Sequence, residues 1–441
     1  MMRPLDPAER MTDRFDLAST LSFTTVASVR GKLQEAQLHH ALRCLERRHP
    51  QLRAALVRDG DQISIALGRA AEIPLCVLQA PLERVLELAA ASIDHRVWSD
   101  AGPRAELTWL QHSQSHSTLL LCQHHVVSDG SSGILAMRDL LAFLTSPDLQ
   151  SIEPVPSPGQ EAFFPESHAE TRAAFQREAK TTGGAGPKSE PVVRLARFGD
   201  EPFEARRVAL RRIHLSASES SALIAHARAD GATVHGVLCA AFAQSIAQEQ
   251  PKPARQRWSH PVDLRRYLRA LEPNRPGIGD AVGYYVSAIA TEHPVEQASQ
   301  LGPLASAITQ AVRAAKQAGE PLTSAPLRGP HLVELTRSMP LDIFRTLAEQ
   351  KIFSNTASIT NLGPLEPLGV TPTLADDRTL EDLYFVSASS VMGQLSGSAV
   401  SYAGRISLQL AAVTPLISAA VLDRLTIATA HRLHTYAQAT S

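Results

Sequence analysis

Two adjacent histidines, His124 and His125, stand shortly before an Asp-Gly pair and are the residues of this sequence best suited to chemistry. Residues 118–123 ahead of them have the composition of a strand, and residues 134–144 after them have helical spacing. The histidines are therefore predicted to lie in a strand-to-helix loop, where polar side chains can face a cleft. A neutral imidazole, with an ordinary pKa near ~6.5, can accept a proton from an attacking hydroxyl or amine at neutral pH. Because successive strand residues face opposite sides, only one of the two is expected to reach a substrate.

The Asp-Gly pair, Asp129 and Gly130, is predicted to shape this loop rather than to react. Asp129 lies close to His125 across a tight turn, so a structural carboxylate that holds the loop is the more natural assignment than a charge partner. Gly130 allows a sharp turn and leaves room beside the histidines. Two other interpretations fit the same residues: a histidine pair that only packs, and a zinc site formed by His125 and Asp129. Zinc is disfavoured because a third ligand and a cysteine partner are missing nearby.

Strand and helix patterns alternate on both sides of these residues and predict a layered α/β fold. The first 147 residues and residues 203–441 form two such halves, and the segment 148–202, rich in proline and glycine around a polar helical patch at 166–180, is predicted to be a linker. Strands are predicted at 20–29, 54–57, 62–67, 75–78, 105–111, 118–123, 206–215, 256–262, 284–290, 355–360, 384–389, 399–402 and 405–411. Helices are predicted at 34–48, 82–97, 134–144, 216–229, 233–248, 297–318, 330–350 and 415–436.

Composition narrows the class of protein. At 441 residues the chain exceeds what one hydrophobic core normally supports, and its formal net charge of -1 argues against a nucleic-acid-binding protein. The four cysteines are far apart in the sequence, which predicts reduced thiols and a cytoplasmic location. An apolar leader is not evident, and the apolar runs fall short of the roughly 18 residues that span a bilayer, so we expect no transmembrane segment.

Four motifs in a fixed order resemble those of one superfamily. His-His-Val-Val-Ser-Asp-Gly at 124–130 matches the HHxxxDG signature of condensation domains and related acyltransferases. Arg-His-Pro-Gln-Leu-Arg at 48–53, Pro-Val-Asp-Leu-Arg at 261–265 and Thr-Asn-Leu-Gly at 360–363 resemble further segments of that superfamily. The Pro-Val-Asp-Leu-Arg segment at 261–265 and the hairpin sequence at 400–405 are most similar to stand-alone polyketide-associated acyltransferases of the phthiocerol dimycocerosyl transferase type.

The resemblance implies two chloramphenicol-acetyltransferase-like subdomains that form a pseudo-dimer around a central tunnel. An acyl thioester, carried by coenzyme A or by the phosphopantetheine of an acyl carrier protein, would meet an alcohol or an amine there. His125 would act as general base, the nucleophile would attack the thioester directly, and neither a bound cofactor nor a metal would be needed. A monomer would suffice. The alternatives are amide formation and a non-catalytic relative that only binds acyl carriers.

The same resemblance assigns the supporting residues. Asp129 would pair with a structural arginine, mapped first to Arg53, with Arg265 as the alternative. Arg265 could instead contact substrate, and with Arg266 and Arg269 it forms a basic cluster that could meet a phosphopantetheine phosphate or an acidic carrier protein. Thr360 or Asn361 could donate to a developing oxyanion, although a turn at the end of a strand is the simpler role for them.

Overall fold

Two large β-sheets, each covered by helices, make up the chain in a computed structural model. The structure describes residues 2–94, 98–163, 192, 194–195, 199, 201–250, 254–271, 278–296, 299–322, 332–388 and 390–438. The strands are β1 (Met2–Pro4), β2 (Ser22–Arg30), β3 (Ala55–Asp59), β4 (Gln62–Ala66), β5 (Leu75–Gln79), β6 (Ala105–Ser113), β7 (His116–His124), β8 (Arg207–His214), β9 (Ala254–Asp263), β10 (Val286–Val295), β11 (Ala357–Pro364), β12 (Thr379–Ser387), β13 (Leu395–Tyr402) and β14 (Arg405–Thr414).

Ten α-helices with defined ends accompany these strands, and residues 320–322 and 332–336 are also helical. They are α1 (Pro7–Ala18), α2 (Glu35–Arg48), α3 (Val85–Asp94), α4 (Gly130–Ala142), α5 (Ala217–Ala229), α6 (Val234–Gln248), α7 (Arg265–Leu271), α8 (Leu301–Gln317), α9 (Leu341–Leu347) and α10 (Ala419–Gln438). Sequence signals account for several of their ends. Ser216 caps α5 and forms a capping box with Glu219, as the serine before that helical pattern predicts.

The first sheet has the order β12-β2-β7-β6-β5. Strands β2, β7 and β6 are antiparallel neighbours, and β5 runs parallel to β6. Its edge strand β12 comes from the C-terminal half of the chain and pairs antiparallel with β2 from Thr379 opposite Arg30 to Ser387 opposite Phe23. Leu383 and Phe385 of β12 are fully buried in the core beneath α2 and α4. The first sheet is therefore completed by residues more than 200 positions away in sequence.

The second sheet has the order β10-β9-β11-β13-β14-β8, in which β9, β11 and β13 run parallel and the other pairs are antiparallel. A separate apolar core packs against one of its faces and includes much of α6, α8 and α10. Trp258 and Phe242, both fully buried, meet edge to face within it. The small sheet β1-β4-β3 lies apart from both large sheets.

Most predicted elements are present, with shifted ends. The predicted helix at 330–350 is wrong as a single helix: its described part contains helical residues 332–336, then the short α9, and then a π-helical turn, Ala348–Ile352. Helix α1 and the short α7 were not predicted. The linker helix at 166–180 and much of the segment 148–202 lie outside the described residues, whereas 148–163 packs onto the molecule through buried Val155 and Phe163.

None of the described helices is long and apolar enough to cross a membrane. All four cysteines are unpaired, and three of them are buried. That agrees with the prediction of reduced thiols.

Candidate active site

The histidine pair lies at the junction of β7 and α4, as the sequence predicts. Strand β7 ends at His124, and Asp129 is the N-cap of α4, where its carboxylate accepts a hydrogen bond from the Ser132 backbone N–H at 2.8 Å. A carboxylate at this position satisfies a free amide of the first helical turn and interacts favourably with the helix dipole. The loop that carries His125 is thus fixed at both ends by secondary structure.

His125 presents one ring nitrogen to a cavity and uses the other to hold its position. Its Nδ1 lies 3.1 Å from the backbone carbonyl oxygen of Ser128. Because a carbonyl oxygen can only accept, Nδ1 carries the proton and Nε2 keeps its lone pair. The ring packs on Phe23, with 4.8 Å between ring centroids, and burial lowers the pKa of His125 to about 4. The imidazole is therefore neutral at physiological pH and basic at Nε2.

His124 has the opposite arrangement of protons. Its Nδ1 accepts a hydrogen bond from the Val126 backbone N–H at 3.0 Å, which leaves the proton on Nε2. That Nε2 lies 3.1 Å from the carboxylate of Asp16, and the ring meets Trp98 edge to face. His124 is fully buried. The two neighbouring histidines thus face different surroundings, as strand alternation predicts, and both nitrogens of His124 are occupied.

Asp129 pairs with Arg265 and not with Arg53. Arg265 Nη1 and Nη2 lie 3.1 and 3.2 Å from the two carboxylate oxygens of Asp129, and the Tyr285 backbone N–H donates to the same carboxylate at 2.8 Å. Arg53 instead donates to the Ala70 carbonyl and pairs with Glu46. The first mapping was therefore wrong, and the alternative is the observed contact. Arg53 follows α2, and its contacts with Glu46 and Ala70 direct it away from the His125 loop.

The contacts of Arg265 leave it little freedom to meet a substrate. It also donates to Ser132 Oγ at 2.6 Å and to the Ala281 carbonyl at 3.1 Å, and its side chain is only 8% exposed. Burial works against its charge, but Asp129 and Asp263 outweigh burial and raise the pKa of Arg265. The pair joins the loop after β7 to the turn after β9, and so connects the two halves of the chain.

A cavity of about 320 Å³ lies between the second sheet and the His125 loop. Its walls include His125, Asp129 and Gly130, together with residues of β2, β9, β10, β11, β12 and β13. Most of the lining is apolar, and its aromatic members are Phe15, Phe23, Tyr284, Phe353 and Phe385. A side chain at Gly130 would approach Leu362 and Phe385 at 3.4 Å, so glycine keeps that wall open.

Thr360 and Asn361 lie on different sides of the second sheet. Thr360 lines the His125 cavity, where its hydroxyl is available to a ligand. Asn361 does not line it; its Oδ1 accepts a hydrogen bond from the Gly363 backbone N–H at 2.9 Å, and Gly363 adopts a positive φ of 73°. Asn361 thus forms the turn at the end of β11, which the sequence favoured for this segment.

Three cavity or support residues were missed from the sequence: Phe15, Asp16 and Tyr284. The first two lie on α1, whose start is encoded by Asp6 as N-cap, Pro7 and the capping-box residue Glu9. That signal could have revealed the helix, but not its position beside His124. Tyr284 meets the His125 ring edge to face at 6.3 Å between centroids. Its role depends on a contact between two halves of the chain, for which the sequence carries no local signal.

A larger cavity of about 850 Å³ lies elsewhere, between α3 and β8. Its described lining has neither a histidine nor a cysteine, and its polar members include Asp94, Glu204, Arg206 and Arg345. The 320 Å³ cavity therefore combines a mostly apolar lining with Nε2 of His125, whereas the 850 Å³ cavity has no imidazole in its described lining.

The amino-acid sequence is similar to part of a known peptide synthetase. An alignment of 289 residues is 25% identical to the phosphinothricin tripeptide synthetase PhsC of Streptomyces viridochromogenes, and it covers 62% of this chain and 25% of that protein. The chain thus spans about a quarter of the length of this curated relative.

Two solved structures share the fold across almost the whole chain. The trichothecene 15-O-acetyltransferase TRI3 of Fusarium sporotrichioides superposes with a TM-score of 0.69 at 12% identity, covering 99% of this chain and 95% of that one. Polyketide synthase associated protein 5 of Mycobacterium tuberculosis gives a TM-score of 0.61 at 19% identity and covers 98% of both chains. These likenesses confirm the predicted α/β fold of the chloramphenicol-acetyltransferase-like type.

A family model supplies the remaining finding. The model for the phthiocerol/phthiodiolone dimycocerosyl transferase C-terminus matches residues 204–430, just over half of the chain. The resemblance inferred from the four motifs is therefore confirmed at the level of the family, and the chain belongs to the family defined by the phthiocerol/phthiodiolone dimycocerosyl transferase C-terminus.

Proposed function

We propose that this protein transfers an acyl group from a thioester to a hydroxyl group, with His125 as the general base. The observation that carries the proposal is the free Nε2 of a neutral His125 that faces an apolar cavity while Nδ1 is held by the Ser128 carbonyl. Family membership and the fold support acyl transfer as the class of reaction. A donor on coenzyme A or on the phosphopantetheine of a carrier protein fits this class, and natural-product or lipid acceptors fit the apolar walls.

The proposed reaction needs one base and no covalent acyl-enzyme. Nε2 of His125 accepts the proton of the acceptor hydroxyl as its oxygen bonds to the thioester carbonyl carbon. The tetrahedral intermediate then expels sulfur, the carbon–sulfur bond breaks, and the imidazolium returns its proton to the thiolate. The products are an ester and a free thiol. The hydroxyl of Thr360, on the same cavity wall, is the proposed donor to the oxyanion.

The Asp129–Arg265 pair is proposed to position the base rather than to react. Asp129 lines the cavity, yet its carboxylate is occupied by Arg265, the Ser132 amide and the Tyr285 amide. Holding this carboxylate fixes the start of α4 and, through the short loop, the place of His125. Gly130 is proposed to leave the space that the acyl group needs.

A second candidate function is amide formation with an amine acceptor. The observation that favours it is the match to a tripeptide synthetase, since the same base and cavity would serve an amine nucleophile. The chemistry of the product separates the two functions. Mild alkali cleaves an ester and leaves an amide intact.

The test is turnover of a panel of acyl thioesters and alcohols, followed as released thiol and by intact mass of the products. H125A is expected to lower kcat/KM roughly a hundred- to ten-thousandfold while the fold remains unchanged. H39A is the matched control, because His39 is half-exposed on α2 and distant from the loop in the chain. Equal activity of H125A and the wild type would refute the assignment of the base. Absence of thioester turnover by the wild type would favour a non-catalytic carrier-binding role.

A further inference from the structure

Three side chains with metal-binding atoms converge between α6 and β9. His235 and Cys239 are four positions apart on α6, so they lie on one face of that helix. His260 lies on β9, where alternate side chains face the second core; Trp258 and Val262, two positions before and after it, are buried there. The potential ligand atoms of the three residues all lie within 4.8 Å of one another. We call this group the His-Cys cluster.

The distances within the His-Cys cluster are close to those around a zinc ion. His235 Nε2 lies 2.8 Å from His260 Nδ1 and 3.6 Å from Cys239 Sγ. Around a tetrahedral zinc ion, with bonds of about 2.05 Å to nitrogen and about 2.3 Å to sulfur, these separations are about 3.4 and about 3.6 Å. Zinc would therefore require the two nitrogens to separate by about 0.6 Å. A small rotation of the half-buried His235 ring would provide this space.

A chain of hydrogen bonds behind His260 orients its ring for a metal. His260 Nε2 lies 2.8 Å from Thr291 Oγ1, and that oxygen lies 2.9 Å from His293 Nε2. When the threonine hydroxyl donates to His293, it accepts from Nε2 of His260, and the lone pair of His260 is then on Nδ1, inside the cluster. Histidines that bind metals usually donate their other ring N–H to an acceptor in this way.

An ion could reach the His-Cys cluster from a neighbouring cavity of about 560 Å³. His235 and His260 line that cavity, whereas Cys239 is fully buried. An entering ion would meet the imidazoles first and the thiol last, and its fourth position would face the cavity, where water can bind. The described lining of the His125 cavity contains none of the three cluster residues, so the ion would take no part in the proposed acyl transfer.

Positive charge near the cluster limits the net charge that it can accept. The cavity is lined by three cations, Arg266, Arg313 and Lys316. Of the basic cluster predicted at 265–269, only Arg266 belongs to this described lining. Burial, and to a smaller extent the charge of Lys316, lowers the pKa of both cluster imidazoles, so they are uncharged at neutral pH, as metal ligands must be. A thiolate from Cys239 would cancel one of the two charges of a divalent ion.

We propose that the His-Cys cluster binds a zinc ion through His235 Nε2, His260 Nδ1 and Cys239 Sγ, with water in the fourth position. Mixed imidazole and thiolate ligands suit zinc. The zinc–sulfur bond forms as the thiol of Cys239 loses its proton to solvent, and any proton between the two imidazoles moves to the far nitrogen of His235. One proton is thus released for each ion bound. The ion would join α6 to β9. The alternative is a hydrogen-bonded imidazole pair beside an inert thiol, which would bind no metal.

The first experiment measures metal content and does not depend on turnover. The full chain is freed of metal with a chelator, mixed with one equivalent of zinc and desalted. One zinc per chain is expected in the wild type and in H125A, and at least tenfold less in C239S and in H260Q. C44S is the matched control, because Cys44 Sγ lies 3.4 Å from Nε2 of His40, four positions earlier on α2, and no third ligand among the described residues joins that pair.

The second experiment identifies the ligands with cobalt in place of zinc. The wild type should show the visible absorption of tetrahedral cobalt and a sulfur-to-cobalt charge-transfer band, and C239S should lose that band. Calorimetric titration of zinc in two buffers should show release of one proton. K316M should bind zinc more tightly, because it removes a neighbouring positive charge, and weaker binding would count against an ion at this position.

Two results would overturn the inference. One is a wild type that retains no zinc after desalting, and the other is zinc retention that C239S and H260Q leave unchanged. Circular dichroism of the metal-free variants checks that both are folded. If either variant unfolds, the cobalt spectrum of the wild type decides, since a spectrum without sulfur-to-cobalt absorption would exclude Cys239 as a ligand.

Discussion

At the scale of single residues, the hydrogen bond to the far side of each ring separates the two histidines. The Ser128 carbonyl holds the proton of His125 on Nδ1, and the Val126 amide together with Asp16 holds the proton of His124 on Nε2. Such bonds to a ring nitrogen set the tautomer and therefore which nitrogen is basic. The order of the residues in the motif suggested His125, and the geometry supplies the physical reason.

The pH dependence of the rate follows from the buried state of His125. Because burial lowers its pKa to about 4, the basic form is complete at neutral pH and is lost only as pH falls through that value. We expect kcat/KM to be flat from about pH 6 to 8 and to decline near pH 4. Unfolded histidines titrate near ~6.5, so acid also favours the unfolded chain, and circular dichroism at each pH must accompany the kinetics. A decline centred near pH 6.5 with the fold intact would contradict this prediction.

Arg265 should contribute far more to stability than Arg53. Replacing Arg265 by methionine leaves the buried carboxylate of Asp129 without its cation, which typically costs about 3–5 kcal/mol. Arg53 is 29% exposed at its side chain and bonds Glu46 and the Ala70 carbonyl, so R53M should cost about 1 kcal/mol. Urea unfolding of the two variants compares the free energies of unfolding. Similar losses for both would show that the Asp129–Arg265 pair is not the stronger anchor.

At the scale of elements, the pairing partner of β12, the edge strand of the first sheet, is what the local sequence does not indicate. The pattern at 384–389 predicts a strand, and β12 is present, but it pairs with β2 of the other half. Pairing partners are set by tertiary packing of Leu383 and Phe385 against the first core, and alternation along a single segment carries no information about them. Residues 203–441 were predicted to form the second half, but β12 within this range belongs to the first sheet.

The first half should not fold alone. Residues 1–202 lack β12, so β2 would present an unpaired edge and the core would lack the fully buried side chains of Leu383, Phe385 and Val386. We expect residues 1–202 to aggregate when expressed separately and to become soluble when residues 203–441 are expressed in the same cell. Gel filtration and far-ultraviolet circular dichroism test this, with the full chain as reference. A monomeric first half with a cooperative thermal transition would contradict it.

At the scale of the whole molecule, two of the connections between the halves lie close to the His125 cavity. One is the insertion of β12 into the first sheet, and the other is the buried Asp129–Arg265 pair between the loops after β7 and β9. Length, repeated strand-helix alternation and motif order were enough to predict two layered halves with one histidine between them. The cavity walls were not predictable, since Phe15, Tyr284 and Phe385 come from distant segments that meet only in the folded chain.

The position of β12 also has a consequence for synthesis on the ribosome. Translation proceeds from the N-terminus, so the strand that completes the first sheet emerges only after residue 387, when most of the second half has already left the exit tunnel. Until then, β2 offers free backbone amides and carbonyls to any passing strand, including those of neighbouring nascent chains. The time spent in that state is set by the rate of elongation rather than by the rate of collapse, and it is the interval in which a chaperone would matter most.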